Sequence, residues 1–114
     1  MAGSKPYRVH REAWLEIEAG DDWYLERSVN ASAAFIAALA DAFDRISRAP
    51  QRWPKYLHGT RRFVLHRFPF SIIYLDDPGK LSVVAVAHSK RKPGYWKPCA
   101  ARFARWTRTF PCWR

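Results

Sequence analysis

Between Arg61 and Trp96 the chain sets Arg61 and Arg62, His66 and Arg67, His88, Arg91 and Lys92, and Tyr95 with Trp96 on or beside runs of strand-forming residues. Guanidinium groups grip phosphate through paired N–H donors, imidazole carries protons near neutral pH, and aromatic rings stack on bases. A sheet that delivers such groups to one place suits a polyanion.

Charge points the same way. Residues 1–50 carry 6 Lys/Arg against 8 Asp/Glu, whereas residues 51–114 carry 14 against 2, within a formal net charge of +10. A surplus held in one half and interleaved with Phe, Tyr and Trp fits nucleic acid or a ribosome-like partner better than a general solubility device. At 114 residues one helix-on-sheet core is expected, without cross-links. The start, Met1 to Pro6, lacks an apolar leader core, and no run reaches the ~18 apolar residues of a membrane span, so a cytoplasmic protein with no membrane partner is expected. Cys99 and Cys112 have no neighbouring ligands of zinc-site spacing and are expected as free thiols. Glycine-rich phosphate loops, metal-ligand spacings and hydrolase nucleophile motifs are all missing, so neither a metal nor a cofactor is expected.

These groups need a scaffold. Tyr7 to His10 alternates as a short first or edge strand. From Arg11 to about Arg27, Trp14, Ile17, Trp23 or Tyr24 and Leu25 recur at helical steps, with Gly20 weakening the helix by about 1 kcal/mol relative to alanine. Ser28 and Asn30 are candidate N-caps for a second helix from about Ser32 to Ser47, whose inner stripe is Phe35, Leu39, Ala42, Phe43 and Ile46. Pro50 and Pro54 close the helical part. Strands follow over about Thr60 to His66, Phe70 to Leu75 and Leu81 to Ala87, with a hairpin turn at Asp76 to Lys80. The last run is apolar on both faces and fits a central strand. The predicted fold is α+β: an N-terminal strand and a two-helix hairpin packed on a curved, mainly antiparallel sheet of about four strands. Residues 1–96 are expected to form the domain and 97–114 a basic Arg/Trp tail, disordered by composition.

Arg61-Arg62-Phe63, Arg67-Phe68-Pro69-Phe70 with Ile72-Ile73-Tyr74, and Ala87-His88 with Arg91 and Pro93-Gly94-Tyr95-Trp96 make the chain resemble the RelE/ParE superfamily of type II toxins over about residues 7–96. The resemblance implies a growth-arresting toxin silenced by a cognate antitoxin. It leaves two targets open. RelE-like members cut mRNA on the ribosome, and ParE-like members poison DNA gyrase without nuclease chemistry.

The nuclease branch implies attack by the RNA 2'-OH, with the protein moving protons and stabilising the phosphorane. His88 is then the proton carrier, Arg91 with Arg61 or Arg62 holds the scissile phosphate, and Tyr95 is a second candidate base once nearby cations lower its pKa. Lys55 and Arg52 bind flanking phosphates, and Trp96 stacks a base. Each also has a structural reading. His88 at a strand end can bond the backbone, and Tyr95 and Trp96 can pack on the helix hairpin. Arg61 and Arg62 must face opposite sides of a strand, so only one can serve the site. His66 and Arg67 read as surface alternation.

Overall fold

The structure is a computed structural model that describes residues 5–90; Arg91, Tyr95, Trp96, both cysteines and the expected domain boundary lie outside the described residues. Four strands and two helices follow in the order β1 (Tyr7–Val9), α1 (Arg11–Leu25), α2 (Val29–Arg48), β2 (Arg61–Val64), β3 (Phe70–Asp77) and β4 (Lys80–His88). A single 3-10 turn, Leu57–Gly59, precedes β2, with His58 and Gly59 both at positive φ.

The α2 stripe is buried as its periodicity requires: Phe35, Leu39, Ala42, Phe43 and Ile46 all face the core. The Ser28 hydroxyl accepts from the Ala31 N–H at 3.2 Å, so α2 starts at Val29, earlier than the alanine run suggests. In α1 the buried set differs from the expected one. Ala13, Ile17 and Gly20 are buried and Tyr24 is partly so, while Trp14, Trp23 and Leu25 are about half exposed. Those inner positions fall on one stripe at helical spacing. Small side chains there let α1 close on α2 and the sheet, where an indole has no room.

The sheet order is β1-β4-β3-β2, with β1 parallel to β4 and the other pairs antiparallel. The apolar run of β4 therefore sits in the middle, as expected of a strand buried on both faces. The hairpin is tighter than expected: β3 runs to Asp77 and β4 starts at Lys80, leaving Pro78 and Gly79, the latter at φ 84°. A positive φ is what glycine tolerates at no steric cost.

One irregularity decides which way the end of β4 faces. Ile73 pairs with Ala85 and Tyr74 with Val83, so Val84 is an extra, bulged residue. Before it, Leu81 and Val83 join the core under the helices with Ile72 and Tyr74; Val84, Ala85 and Ala87 join Ile73 and Leu75 on the opposite face, where Tyr56 packs. After it, Val86 returns to the helix face. A strictly alternating strand would have turned His88 away from the helices.

At the start of α1, His10 Nδ1 accepts from the Glu12 N–H at 3.2 Å and lies 2.6 Å from Glu12 Oε1. The amide needs the ring's lone pair and the carboxylate favours its proton. Burial dominates and lowers the His10 pKa, the Glu12 carboxylate opposing it and Arg8 adding to it. A histidine whose folded pKa is depressed is neutral in the native state, so the unfolded chain takes up the proton first as pH falls below about 6.5. The urea midpoint should therefore drop between pH 7.5 and 5.5. His10→Asn keeps an N-cap without a titrating ring, and in that variant the His10-linked part of the drop should vanish; an unchanged pH profile would assign it elsewhere.

Candidate functional site

Because β1 pairs β4 only over Leu81, Ser82 and Val83, the later half of β4 has no strand on that side among the described residues. Helix α1 covers it instead, and the Glu16 carboxylate accepts from the Val86 N–H at 2.8 Å. Next to this contact a cleft of 530 Å³ opens between α1 and the sheet end, lined on the helix by Glu16, Gly20, Trp23 and Tyr24 and on the sheet by Phe70 and His88, with Lys90 at its rim. That volume is in the range of pockets that hold a drug-sized ligand, about 300–1,000 Å³.

His88 stands edge-on to Phe70, 5.1 Å between ring centroids, and its Nδ1 accepts from the Lys90 N–H at 3.1 Å. The backbone-bonding reading of His88 is thus realised at one nitrogen, which leaves Nε2 for other chemistry. The loop before β3 is tied to the same place, since the Ser89 N–H donates to the Pro69 carbonyl at 2.8 Å. Phe68 anchors that loop in the core against Tyr24 and Phe35. His66 and Arg67 are exposed on it, so the sheet end gathers His66, Arg67, His88 and Lys90.

Arg61 and Arg62 lie elsewhere. Arg61 pairs with Tyr74, and His88 with Phe70. Four residues along β3 at about 3.3 Å each, with two strand spacings of about 4.8 Å, put their Cα atoms about 16 Å apart. Arg61 Nη1 donates to the Trp53 carbonyl at 2.7 Å and to Gln51 at 3.3 Å, holding the loop that follows α2. Arg62 points to the opposite face and stacks its guanidinium on Tyr56, 4.3 Å from the centroid. Lys55 bridges to Arg61 in the backbone and lines a second, more polar cleft of 410 Å³ with Gln51, Thr60, Arg61 and Asp76. Lys5 pairs with Asp76 at 2.6 Å.

Of the expected cluster's members among the described residues, Arg61, Arg62 and His88 therefore lie at two ends and on two faces of the sheet. Tyr74, the phenol nearest Arg61 in register, donates to the Pro50 carbonyl at 2.6 Å, and burial pushes its pKa up to about 12, which makes it a structural donor and not a base. Among the described residues no group of His, Cys, Asp and Glu could hold a metal ion, and no helix is long and apolar enough to cross a membrane.

Glu16 and Lys90 are cleft residues that pattern reasoning did not single out, and Trp23 entered it only as a candidate for the apolar stripe of α1. Glu16 lies one residue before Ile17, on the border of the inward stripe of α1. Its role depends on β1 ending at Val9, and only the pairing of β1 with β4 shows which amide that leaves open.

A helical hairpin inserted between β1 and an antiparallel β2-β3-β4 meander, with basic groups at the sheet ends, is the architecture of RelE/ParE superfamily toxins. The chain belongs to the family described as the ParE toxin of the type II toxin-antitoxin system, parDE, whose model matches residues 7–93. Among solved structures it is similar to a chain of the chromosomal ParDE toxin-antitoxin system from P. aeruginosa, with 13% identity and a TM-score of 0.65 over 76% of this chain and 98% of that one. It is also similar to a chain of the RelBE2 toxin-antitoxin complex from Mycobacterium tuberculosis, with 19% identity and a TM-score of 0.52 over 77% of this chain and 94% of that one. At such identities the likeness concerns the fold. No curated protein matches the chain.

Proposed function

We propose that this type II toxin acts by binding, as a ParE-like poison of DNA gyrase in the cytoplasm, and is neutralised by a cognate antitoxin. The observation that carries this reading is the split of the basic groups: Arg61 is spent on the Trp53 and Gln51 carbonyls, about 16 Å in strand geometry from His88. A phosphorane needs donors within hydrogen-bonding reach of the same oxygens. The described residues assemble no such centre, and the family is the ParE one. Ribosome-dependent cleavage of mRNA, with His88, Arg91 and Tyr95 in catalysis, is the competing reading. Binding needs none of these roles, and the basic sheet end with His66, Arg67, His88 and Lys90 supplies a steering surface for an acidic partner or for DNA. The match ending at residue 93 supports a toxin domain over residues 1–96 with 97–114 as a separate basic extension.

The test is induction in growing bacteria with labelled methionine and thymidine followed side by side. Thymidine incorporation should stop first, with filamentation, a DNA-damage response and intact messages. His88→Ala, checked for normal soluble yield, should arrest growth as the parent does. Early loss of methionine incorporation, with cuts in ribosome-bound messages that His88→Ala abolishes, would overturn the binding reading in favour of the nuclease.

A further inference from the structure

We propose that the rim of the sheet along β2, carrying Arg52, Lys55, Arg62 and Arg67, grips the phosphate backbone of duplex DNA without reading its sequence. This deepens the gyrase reading and takes its meaning from it, but the contact is with DNA itself and is measured without gyrase.

The first observation is which cations are left over. Between Asp44 and Asp76 the chain holds seven Lys/Arg and no Asp or Glu. Arg45 and Arg48 are matched on α2 by Asp41 at 3.0 Å and Asp44 at 3.2 Å, and Arg61 is held by the Trp53 and Gln51 carbonyls. Arg52, Lys55, Arg62 and Arg67 make no ion pair or side-chain hydrogen bond among the described residues. The fold places them in a row. Strand β2 ends the sheet among the described residues, and the preceding loop runs along its outer edge, where Lys55 bridges to Arg61 and the Arg62 N–H donates to the Pro54 carbonyl at 3.1 Å. Arg67 follows in the tight loop that the Leu65 N–H closes on the Phe70 carbonyl at 3.0 Å. Arg61 to Val64 spans about 10 Å of strand and Arg67 lies at most about 10 Å further, so the row runs alongside about three to six base pairs at about 3.4 Å each.

The second observation favours a duplex over a single strand. Single strands are held by stacking their bases on open aromatic faces. Along this rim those faces are taken. Arg52 lies over the Trp53 ring at 5.2 Å and Arg62 over Tyr56 at 4.3 Å, Phe63 meets Trp53 at 4.5 Å, and Phe68 is turned into the core against Tyr24 and Phe35. What the rim presents is guanidinium and ammonium heads, which suit phosphate oxygens. A protein partner would need an apolar centre for its anchors, yet among the described residues the large apolar side chains exposed here are Leu57 and Val64, the others being on β1 and the helices. Charge on an edge strand also keeps sheets from pairing with one another, a role that needs no DNA.

The test is fluorescence anisotropy of a short mixed-sequence DNA duplex titrated with the full-length chain over a salt series, beside single-stranded DNA and duplex RNA of the same length. Each of Arg52→Gln, Lys55→Gln, Arg62→Gln and Arg67→Gln should reduce the slope of log K against log salt by about 0.9, and all four together by about 3–4, alike for unrelated sequences. A control of equal charge, Arg8→Gln with Arg11→Gln, Arg27→Gln and Arg45→Gln on β1 and the helices, should stay within about one unit of the parent's slope. If the fourfold rim variant loses its fold, the single variants with urea midpoints near the parent's carry the same comparison. Equal losses in the rim and control variants would overturn the proposal, since net charge alone would then explain binding. So would single-stranded DNA bound more tightly than duplex, duplex RNA bound more tightly than duplex DNA, or an unchanged slope in a rim variant that aggregates, which would leave edge protection as the role of these cations. The gyrase reading stands or falls separately, on thymidine incorporation.

Discussion

Phe35→Ala should remove about 3–5 kcal/mol of stability, as truncation of a large aromatic in a closed core does. Phe35 has no exposed surface, and its ring meets Tyr24 at 5.1 Å, Phe70 at 5.2 Å and Phe68 at 5.5 Å. These four rings join α1, α2, the loop before β3 and the start of β3. Removing the central one opens a cavity that three separate elements would have to collapse into at once. A domain of this size has only about 5–15 kcal/mol in hand, so the variant should lie near its folding threshold. The loss should also reach the candidate site, because Phe68 anchors the loop beside His88 and Phe70 meets the His88 ring edge to face. Urea melts followed by near-ultraviolet circular dichroism would measure it; a loss below about 1.5 kcal/mol, the range of well-tolerated apolar swaps, would show that the cluster repacks freely.

The second large effect is expected at Gly20. A Cβ there would stand 3.0 Å from Phe35 Cζ, 3.1 Å from Phe35 Cε2 and 3.3 Å from Phe70 Cζ. Alanine in mid-helix favours folding by about 1 kcal/mol over glycine, while overpacking a tight core costs about 1–3 kcal/mol, so Gly20→Ala should come out destabilised. Gly20→Leu should lose about 3 kcal/mol or more, since its branched side chain must displace both rings. The two sites should couple. In a Phe35→Leu background the Cζ that blocks the new methyl is gone, and Gly20→Ala should be tolerated better there than in the parent. Equal costs in both backgrounds, or a Gly20→Ala chain more stable than the parent, would mean that the contact is not what demands glycine.

Gly20 shows how pattern reading and structure part ways. As a helix residue it is a local defect, and its cost is all that propensity can express. Its benefit, a close approach of α1 to Phe35 and Phe70, belongs to residues 15 and 50 positions away in the chain. The same holds for the indoles: hydrophobicity places Trp14 inside and leaves Trp23 or Tyr24 open, yet the inward stripe uses the small Ala13 and Gly20 beside Ile17, with Tyr24 and not Trp23 against the core. Hydropathy ranks side chains by transfer from water and carries no information on the space available.

The sequence by itself determined the elements and their order, because periodicity, capping and turn chemistry act over a few residues. Ser28, the α2 stripe and the continuous apolar run of β4 were legible for that reason, as was the division of Arg61 and Arg62 between two faces. The superfamily likewise followed from short motifs. Only the tertiary structure decided which groups share a place. The Val84 bulge turns His88 toward α1, the short β1 leaves the Val86 N–H to Glu16, and the register of β2 on β3 carries Arg61 away from His88. Register and bulges shift side chains between faces and along strands by whole residues, and those positions follow from the balance of the entire packed core, which no local window of residues contains.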